Sequence, residues 1–444
     1  MRTILLIASL LVFELTAHTQ TFWSDVPADK VLARGGERRI APQNARLVRL
    51  DVAAFRGRQA SIQRGALTEL DQRGSTISLP APDGSMVSFR VLEVPVMHPE
   101  LQARYPMIRT YSGVGITDPS ATVKLDFGPN GFHAMVTPGS RRSWFIDPVH
   151  VGDLDFYQVY DRGDLVRSAG GPVLSCSVDL VNDVPNEEAR TQQWIQQMGE
   201  DRVGDCQLRT YRLALACTGE YANFHGSNTT NNNKSFALAA MVTTMNRVND
   251  MFERDATLTM VMVANTDQLI YLNGATDPYT NNDGATMLDE NQATCNAVIG
   301  TANYDIGHVF STGGGGIASL NSPCSSTRKA MGVTGQSNPV GDGFDIDYVA
   351  HEMGHQYGAN HTQNNACNRA ASASVEVGSG ITIMGYAGIC APDVAAHSIA
   401  MFGGYSMQEI AANVTAGTSS SCPTTVVRYW SGSLSWRARS TARR

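Results

Sequence analysis

The chain has 444 residues, of which 42% are hydrophobic and 17% are charged, and its formal net charge is −7. This length allows two or three domains with ample core, and the composition excludes an intrinsically disordered chain. The acidic balance, without a basic stripe and interleaved aromatic residues, argues against a nucleic-acid partner.

The first 20 residues have the pattern of a secretory signal peptide. Arg2 supplies a positive charge, residues 4–13 form an apolar run, and residues 17–20 offer a small-residue cleavage region. A retained membrane anchor is the alternative, but the apolar run is too short to span a bilayer comfortably. We therefore expect a secreted, extracellular protein with no membrane span after removal of the signal.

Residues 21–205 are predicted to form an N-terminal domain and a linker. Residues 21 to about 60 are polar and rich in arginine, which suggests a loosely ordered lead-in. From about 60 to 165 the pattern is that of short strands and turns, including a hairpin at the Asn130-Gly131 dipeptide. Residues 166–205 predict a linker with one short helix around Trp194, in which we expect a domain boundary and a maturation cleavage.

After this linker, predicted strands and helices alternate. Four apolar runs predict strands, at residues 208–216, 258–264, 304–310 and 317–320. Two segments with apolar residues at helical spacing predict helices, at residues 234–252 and 285–299. The four glycines at 313–316 predict a flexible turn and not a phosphate-binding loop, because no helix with a Lys-Ser or Lys-Thr pair follows.

A stretch that begins at His351 reads H-E-x-x-H-x-x-G-x-x-H. His351 and His355 are four residues apart, so on a helix both imidazoles leave the same face, as two ligands of one zinc ion require. Gly358 can end that helix in a left-handed conformation, which lets His361 swing back as a third ligand. The fourth position stays open for water, and Glu352 can reach that water. This pattern predicts a catalytic zinc site, the alternative being a surface helix that carries histidines by chance.

Acidic residues precede the zinc motif. Asp345 is predicted to cap the zinc helix, and Asp347 also favours the positive helix end. A structural calcium site formed by Asp342, Asp345 and Asp347 is the alternative.

The sequence after the motif predicts three further features. Residues 381–386 form an apolar segment that ends in a tight turn. Ser406 and Glu409 fit the capping box of a last helix that ends at about residue 414. The basic tail at 424–444 lacks periodicity, and we expect it to be unstructured.

These residues resemble the metzincin zinc endopeptidases, through the zinc motif and Met384 downstream of it. Segments 211–221, 344–351 and 383–388 are similar to those of secreted bacterial reprolysin- or adamalysin-like peptidases. The resemblance implies an α+β metzincin fold for residues 206–423, in which a five-stranded mixed sheet places the active helix at the floor of a cleft. The mostly β domain before it would be a propeptide.

The resemblance also implies roles for single residues. Met384 would form the Met-turn, a hydrophobic base beneath the imidazoles, although taken alone it could be a core methionine. The strand at 317–320 would bind the substrate backbone by strand addition. Tyr386 stands where astacin- and serralysin-like enzymes place a tyrosine that can approach the zinc, so it could stabilise the transition state, with packing as the alternative. Thr362 replaces the aspartate usual in adamalysins, which weakens assignment to that narrow branch.

The expected function follows from zinc chemistry. One Zn²⁺ would lower the pKa of its bound water and polarise the scissile carbonyl, while Glu352 acts as general base. We therefore expect a secreted zinc endopeptidase that is made as a zymogen and cleaves extended protein or peptide substrates. A non-catalytic zinc-containing adhesion or binding module is the alternative, which the presence of Glu352 disfavours. A zinc hydrolase acting on another bond is a third hypothesis, which the elongated motif disfavours.

The chain has eight cysteines, none in a C-x-x-C pair, which suits an oxidising compartment. The resemblance implies two disulfides and leaves one further pair, namely Cys324–Cys422, Cys367–Cys390 and the remaining Cys217 with Cys295. Cys176 lies upstream of the predicted domain boundary. Its thiolate could occupy the open zinc position and keep the zymogen silent, and a disulfide with Cys206 is the alternative.

Overall fold

The computed structural model describes residues 22–139, 142–165, 176–178, 187–198 and 205–427. The predicted signal peptide and the tail beyond residue 427 lie outside the described residues, as does most of the segment in which we expect the maturation cleavage.

Nine antiparallel strands from the N-terminal part of the chain form sheet A, in the order β1-β2-β9-β8-β7-β6-β5-β4-β3. Its strands are β1 (Trp23–Asp25), β2 (Arg46–Leu50), β3 (Ser75–Pro80), β4 (Met86–Glu93), β5 (Arg109–Gly115), β6 (Thr122–Gly128), β7 (Gly131–Thr137), β8 (Trp144–Pro148) and β9 (Phe156–Asp161). Four short helices accompany it, α1 (Ala28–Leu32), α2 (Val52–Gln59), α3 (Leu70–Arg73) and α4 (Pro99–Arg104). The predicted Asn-Gly hairpin joins β6 to β7, and Gly131 has the positive φ, 104°, that such a turn favours.

The residues before β3 belong to this fold, so the prediction of a loosely ordered lead-in at 21–60 is wrong. Trp23 and Val48 are buried in the apolar cluster of sheet A. Arg46 forms an ion pair with Asp25 on the neighbouring strand. The arginine-rich composition that suggested disorder therefore reflects charges paired between strands, which a single sequence does not reveal.

Seven strands form a mixed sheet, sheet B, in the order β10-β14-β15-β13-β11-β12, with β16 also paired to β11. Its strands are β10 (Cys176–Val178), β11 (Gln207–Cys217), β12 (Leu258–Met262), β13 (Ile306–Ser311), β14 (Gly316–Ala318), β15 (Gly332–Gly335) and β16 (Thr424–Val427). Strands β12, β11, β13 and β15 run parallel, and β14 is antiparallel to β15. Five of the seven strands, β11 to β15, lie between residues 207 and 335, and the other two come from segments on either side.

Seven further helices follow sheet A in the chain. They are α5 (Glu187–Met198), α6 (Gly219–Phe224), α7 (Ser235–Asp255), α8 (Gly284–Val298), α9 (Asp342–Phe344), α10 (His351–Gln356) and α11 (Gly404–Thr415). A π-helical stretch, Asp345–Ala350, joins α9 to α10. Short 3₁₀ turns occur at Leu67–Glu69, Arg162–Asp164, Thr266–Leu269, Thr301–Asn303 and Thr418–Ser420. None of the described helices has the length and apolar character needed to cross a membrane.

Helix α7 contacts both sheets, which explains why side chains all around it are buried. Thr243 Oγ1 donates to Asp126 of β6, 2.8 Å away, and Asn249 Nδ2 donates to the carbonyl of Met260 on β12. The methionines on its apolar stripe, such as Met245, lie in a large cluster shared with sheet B. As predicted from the sequence, they fill the core.

Strands β15 and β16 of sheet B, like β10, were not expected. Strand β15 has the sequence Gly-Val-Thr-Gly, too short and glycine-rich to give a strand pattern, and it exists because it pairs with both β13 and β14. Strand β16 covers the first residues of the tail predicted to be unstructured, and it pairs antiparallel with the start of β11. In both cases the pairing comes from tertiary structure.

The helical start signals around the zinc motif were misassigned. The helical segment begins at Asp342, after Gly341, and the Asp345 carboxylate is buried, where it accepts a hydrogen bond from Thr244 Oγ1 at 2.7 Å, so it is not a helix cap. The predicted capping box at Ser406 is also wrong, because α11 starts at Gly404.

Candidate metal centre

The three histidines of the motif converge on one point. His351 and His355 project from the same face of α10, and their Nε2 atoms are 3.1 Å apart. The Nε2 atom of His361 is 2.9 Å from that of His355. All three side chains are buried. The i, i+4 spacing therefore produces the predicted common face, and the third histidine reaches it from the following loop.

Gly358 makes this approach geometrically feasible. Its φ is 105°, within the left-handed region that residues with a Cβ adopt reluctantly. A Cβ at this position would also lie 2.3 Å from Asn321 Oδ1. The helix ends here, and the chain turns back so that His361 faces the centre.

Each imidazole is oriented by a backbone carbonyl. The Nδ1 atoms of His351, His355 and His361 lie 2.7 Å from the carbonyl oxygens of Ile383, Ala359 and Asn368, respectively. Because a carbonyl can only accept, Nδ1 carries the proton, and the lone pair of each Nε2 points towards the other two. Such a set of unprotonated nitrogens is suited to a cation.

Burial keeps the imidazoles neutral. It lowers the pKa of His351 to about 4 and that of His361 to about 3. Burial, followed by the two neighbouring imidazoles, lowers the pKa of His355 well below its usual value. Neutral imidazole is the form that binds a metal.

Cys176 joins the histidines from a segment far upstream in the chain. Its Sγ lies 3.4 Å from His355 Nε2 and 3.3 Å from His361 Nε2. The ligand atoms of these residues and His351 all lie within 4.8 Å of one another, and no other group of three or more such side chains occurs among the described residues. Three imidazole nitrogens and one sulfur are a donor set that zinc accepts. The alternative disulfide is not formed, because Cys206 is an exposed free thiol.

The backbone around Cys176 holds it in this position. Strand β10 pairs in parallel with β14, with Cys176 opposite Gly316. The carbonyl oxygen of Cys176 accepts hydrogen bonds from Asn368 Nδ2 at 2.7 Å and from the Tyr386 hydroxyl at 3.1 Å. The N-terminal segment thus occupies the sheet edge on which the sequence predicts substrate binding.

Glu352 is buried beside the centre. Burial raises the pKa of its carboxyl well above the usual range, an effect that the Cys176 side chain partly opposes. Neither oxygen accepts a hydrogen bond from a nitrogen or hydroxyl group in the described part of the chain. A Cβ on Gly316 would lie 2.0 Å from Glu352 Oε1, so the carboxylate packs directly on the backbone of β14. This position suits a base that must reach a small molecule at the centre.

Met384 and Tyr386 pack against the elements that carry the histidines. A Cβ on Gly354, in the middle of α10, would lie 2.6 Å from Met384 Sδ, so the sulfur packs against the helix that carries the first two histidines. The ring of Tyr386 is 4.6 Å from that of His361, centroid to centroid. Burial, followed by Cys176, raises the pKa of Tyr386 well above its usual value, which keeps the phenol protonated as a hydrogen-bond donor.

Two acidic side chains hold the loop of His361 from its two ends. Glu409, predicted to belong to a capping box, accepts from the backbone N of Asn360 at 2.8 Å. Glu376 accepts from Thr362 Oγ1 at 2.5 Å. Sequence reasoning missed both roles, because neither residue is close to the motif in the chain.

Glu376 also binds the turn that precedes Met384. Its carboxylate accepts from the backbone N of Ile381 at 2.7 Å and of Thr382 at 3.0 Å. The sequence showed a threonine at position 362 where a carboxylate is usual in the narrow adamalysin branch. In this structure a carboxylate from position 376 ties that threonine to the Met-turn segment.

The calcium alternative receives no support from the geometry. Asp345 pairs with Arg247, whereas Asp342 and Asp347 pair with Arg162. The carboxylates are thus neutralised by arginines, and among the described residues they do not form a group of three that could share a cation.

Both disulfides implied by the resemblance are present. They are Cys324–Cys422 and Cys367–Cys390. The first joins the segment before the zinc helix to the residues just before β16. The second crosslinks the loop that follows His361 to the segment that follows Met384. Cys217 and Cys295 are separate, buried free thiols and do not pair.

Residues 207–413, a little less than half of the chain, match the family model described as metallo-peptidase family M12B reprolysin-like. The match includes the three histidines, Glu352, Met384 and Tyr386. It begins at residue 207, so Cys176 lies outside it. None of the curated proteins matches the chain.

Proposed function

The chain belongs, through residues 207–413, to the reprolysin-like metallopeptidases of family M12B, a family of zinc-dependent peptide hydrolases, and on this premise we propose that it is an endopeptidase with Glu352 as general base and Cys176 as the residue that silences the precursor. The observation that carries the proposal is the convergence of three neutral imidazole nitrogens beside a buried carboxylate.

The proposed ligands of a catalytic zinc are the Nε2 atoms of His351, His355 and His361. Zinc at this point supplies a Lewis acid that polarises a carbonyl and makes water more acidic. Glu352 takes the proton from the attacking water on a carboxylate oxygen and passes it to the leaving amine. Its two oxygens have room for this role because no amide or hydroxyl donor in the described chain engages them.

The substrate is proposed to lie along β14 in extended form. Main-chain hydrogen bonds to an exposed strand edge give affinity without sequence preference, and side-chain pockets then add specificity. Tyr386 donates its hydroxyl hydrogen bond to the Cys176 carbonyl in the precursor. In the mature enzyme the same hydroxyl is free to stabilise the oxyanion that forms at the scissile carbonyl.

Latency is proposed to come from two contacts made by the same short strand. The Cys176 sulfur fills the position that the attacking water needs, and β10 fills the edge of β14 that the substrate needs. Removal of this strand by cleavage in the predicted linker would expose both positions. Export through the predicted signal peptide fits this scheme, because the two disulfides require an oxidising compartment.

The processed protein is the material for the first test. It is expected to cleave casein, to lose this activity with a zinc chelator, and to recover it when zinc is added. Glu352→Gln should still bind about one zinc per chain, because Glu352 is not a ligand, but should not cleave casein. Unchanged cleavage by the Glu352→Gln variant would refute the assignment of the base, and activity that survives full metal removal would refute the zinc mechanism.

A further inference from the structure

The N-terminal unit, defined as residues 22–165, and the peptidase domain share one apolar core. Seven buried side chains of the unit belong to the same cluster as the helix that carries the zinc motif, namely Val96, Met97, Leu101, Ile108, Met135, Phe145 and Tyr160. An inhibitor that must dissociate normally uses a smaller and more polar contact. A continuous core is typical of permanent interfaces, which resemble a domain interior cut in half.

The unit also completes the far edge of sheet B. Met262 of β12 donates its backbone N–H to the carbonyl of Val96, and His98 donates to the carbonyl of Met262, at 2.8 and 2.9 Å. These two bonds form a parallel bridge between Met97 and Met262. Departure of the unit would leave β12 as an unprotected sheet edge, a feature that folded proteins avoid.

Buried charges cross the interface as well. Arg247 of α7 has a 2% exposed side chain and binds Asp147 of β8 at 2.6 Å and Asp345 at 3.0 Å. Lys124 of β6 binds Glu253 of α7 at 2.7 Å, and their side chains are 4% and 10% exposed. Removing one partner from such a pair leaves the other charge buried without its counter-ion, which is strongly destabilising.

Arg162 links the unit directly to the N-terminal end of the helical segment that leads into His351. Its side chain is 7% exposed, and its Nη2 lies 2.8 Å from Asp342 Oδ2 and 2.6 Å from Asp347 Oδ1. Asp347, four residues before His351, also binds His397 at 2.8 Å in the segment after the Met-turn. Without Arg162, two buried carboxylates at the N-terminal end of this helical segment would lose the arginine that neutralises them.

We propose that the N-terminal unit stays bound after the chain is cut between residues 165 and 205, as a permanent non-covalent subunit of the mature enzyme that holds the zinc helix in place. Only the segment that carries Cys176 then has to leave for activity. This inference rests on the proposed zymogen, because it concerns what maturation removes, but its evidence is the interface and not the catalytic site.

The test uses the full chain with Glu352→Ala, which prevents self-cleavage. Recognition sequences for an added protease are placed within 166–175 and within 199–204, and the N-terminal unit carries an affinity tag. After both cuts, the unit and the peptidase fragment are expected to elute together in size-exclusion chromatography at physiological salt and to separate only in denaturant. Separation of the two fragments without denaturant would overturn the proposal. Chromatography does not depend on catalysis, so an inactive protease would count against the proposed function alone.

A matched pair of arginine variants tests the role of the buried charges. In the doubly cut protein, Arg162→Gln is expected to weaken the association on the order of a hundredfold, because it leaves buried carboxylates unpaired. Arg104→Gln is the control, since Arg104 pairs with Asp267 across the same interface but is 40% exposed, and it should change the affinity less than about fivefold. Equal effects of the two substitutions would contradict the assignment to Arg162. If Arg162→Gln does not fold, the elution of the unsubstituted cut protein still decides the proposal.

Discussion

At the scale of single residues, the centre depends on groups that orient the three histidines. The three histidines direct Nε2 towards one another because a carbonyl fixes Nδ1 of each ring. The loop of His361 is in turn fixed by Glu376 and Glu409. Such outer partners are the usual means by which a protein orients metal-binding rings, and their loss weakens metal binding without removing a ligand.

Glu376 gives the first prediction at this scale. Burial acts to raise the pKa of Glu376, but hydrogen bonds from Ile381, Thr362 and Thr382 outweigh it and hold the pKa below its ordinary value of 4.5. A carboxyl with a lowered pKa stabilises the fold above the pKa of the unfolded chain, and this stabilisation is lost as the pH falls through the folded value. Glu376→Gln should therefore lower the free energy of unfolding by about 2 kcal/mol at pH 7, with a difference that shrinks below about pH 4.5.

Urea unfolding over a pH series measures this difference. Glu100→Gln serves as the control, because Glu100 is exposed and should show little change at any pH. A loss at Glu376→Gln that is the same at pH 7 and pH 4 would show that its charge is not what matters.

The residue-scale predictions from sequence succeeded where the signal was local. Helix geometry places His351 and His355, four residues apart, on one face. Glycine, the residue at position 358, is the residue type that turns the chain there without strain. Glu376 could not be found in this way. Its partners are backbone and hydroxyl groups of a loop that acquires its shape only in the folded chain.

At the scale of elements, the edge strand β14 serves two purposes. Its outer edge pairs with β10, and its backbone at Gly316 lies against the Glu352 carboxylate. A side chain at this position would push the base away from the centre. A glycine is therefore needed here because Glu352 approaches the backbone closely, and not because of a turn.

Gly316→Ala should reduce kcat at least about tenfold with little change in bound zinc, because a displaced general base loses its proton-transfer contribution while the ligands stay in place. Gly343→Ala is the matched control, since a Cβ on Gly343 meets no atom within 4 Å. Steady-state kinetics and metal analysis of both variants give the comparison. Full activity of Gly316→Ala would mean that the position of Glu352 does not depend on the close approach of β14.

Sequence patterns predicted the elements that have their own periodicity and missed those that depend on pairing. The long helix α7 and strand β11 lie within a few residues of their predicted bounds. Strand β10 lies in a segment predicted to be a linker, and it is a strand only because β14 accepts it. Cys176 was therefore a candidate for the centre on chemical grounds, while the strand that delivers it was not foreseen.

At the scale of the whole molecule, two crosslinks and one interface connect distant segments to the zinc helix. The Cys324–Cys422 disulfide spans 98 residues and encloses the entire motif. Opening a loop of this length increases the entropy of the unfolded chain considerably. The double substitution Cys324→Ser with Cys422→Ser is expected to lower the free energy of unfolding by about 3–5 kcal/mol.

Thermal or denaturant unfolding of the full chain measures this effect. Cys206→Ser is the control, because Cys206 is an exposed free thiol, and its substitution should leave stability almost unchanged. A double variant as stable as the parent chain would show that the bridge contributes nothing to the folded state.

The two halves of the molecule were predicted as a propeptide domain and a catalytic domain. Composition and patterns gave no indication that they share a core, because the shared residues look like ordinary strand and helix positions in each half. The buried pairs of Arg162 and Arg247 were equally hidden, since ion pairs between residues about 100 or more positions apart leave no local signal.

The most direct test of the central claim is casein hydrolysis by the uncut chain with Cys176→Ala, measured beside the unsubstituted uncut chain and the Cys176→Ala, Glu352→Ala double variant. The account predicts weak zinc-dependent cleavage by the single variant, because removal of the sulfur opens the centre and Glu352 supplies the base while β10 still covers the edge of β14. It predicts no cleavage by the other two. A single variant as silent as the unsubstituted chain, or a double variant that cleaves casein, would contradict it.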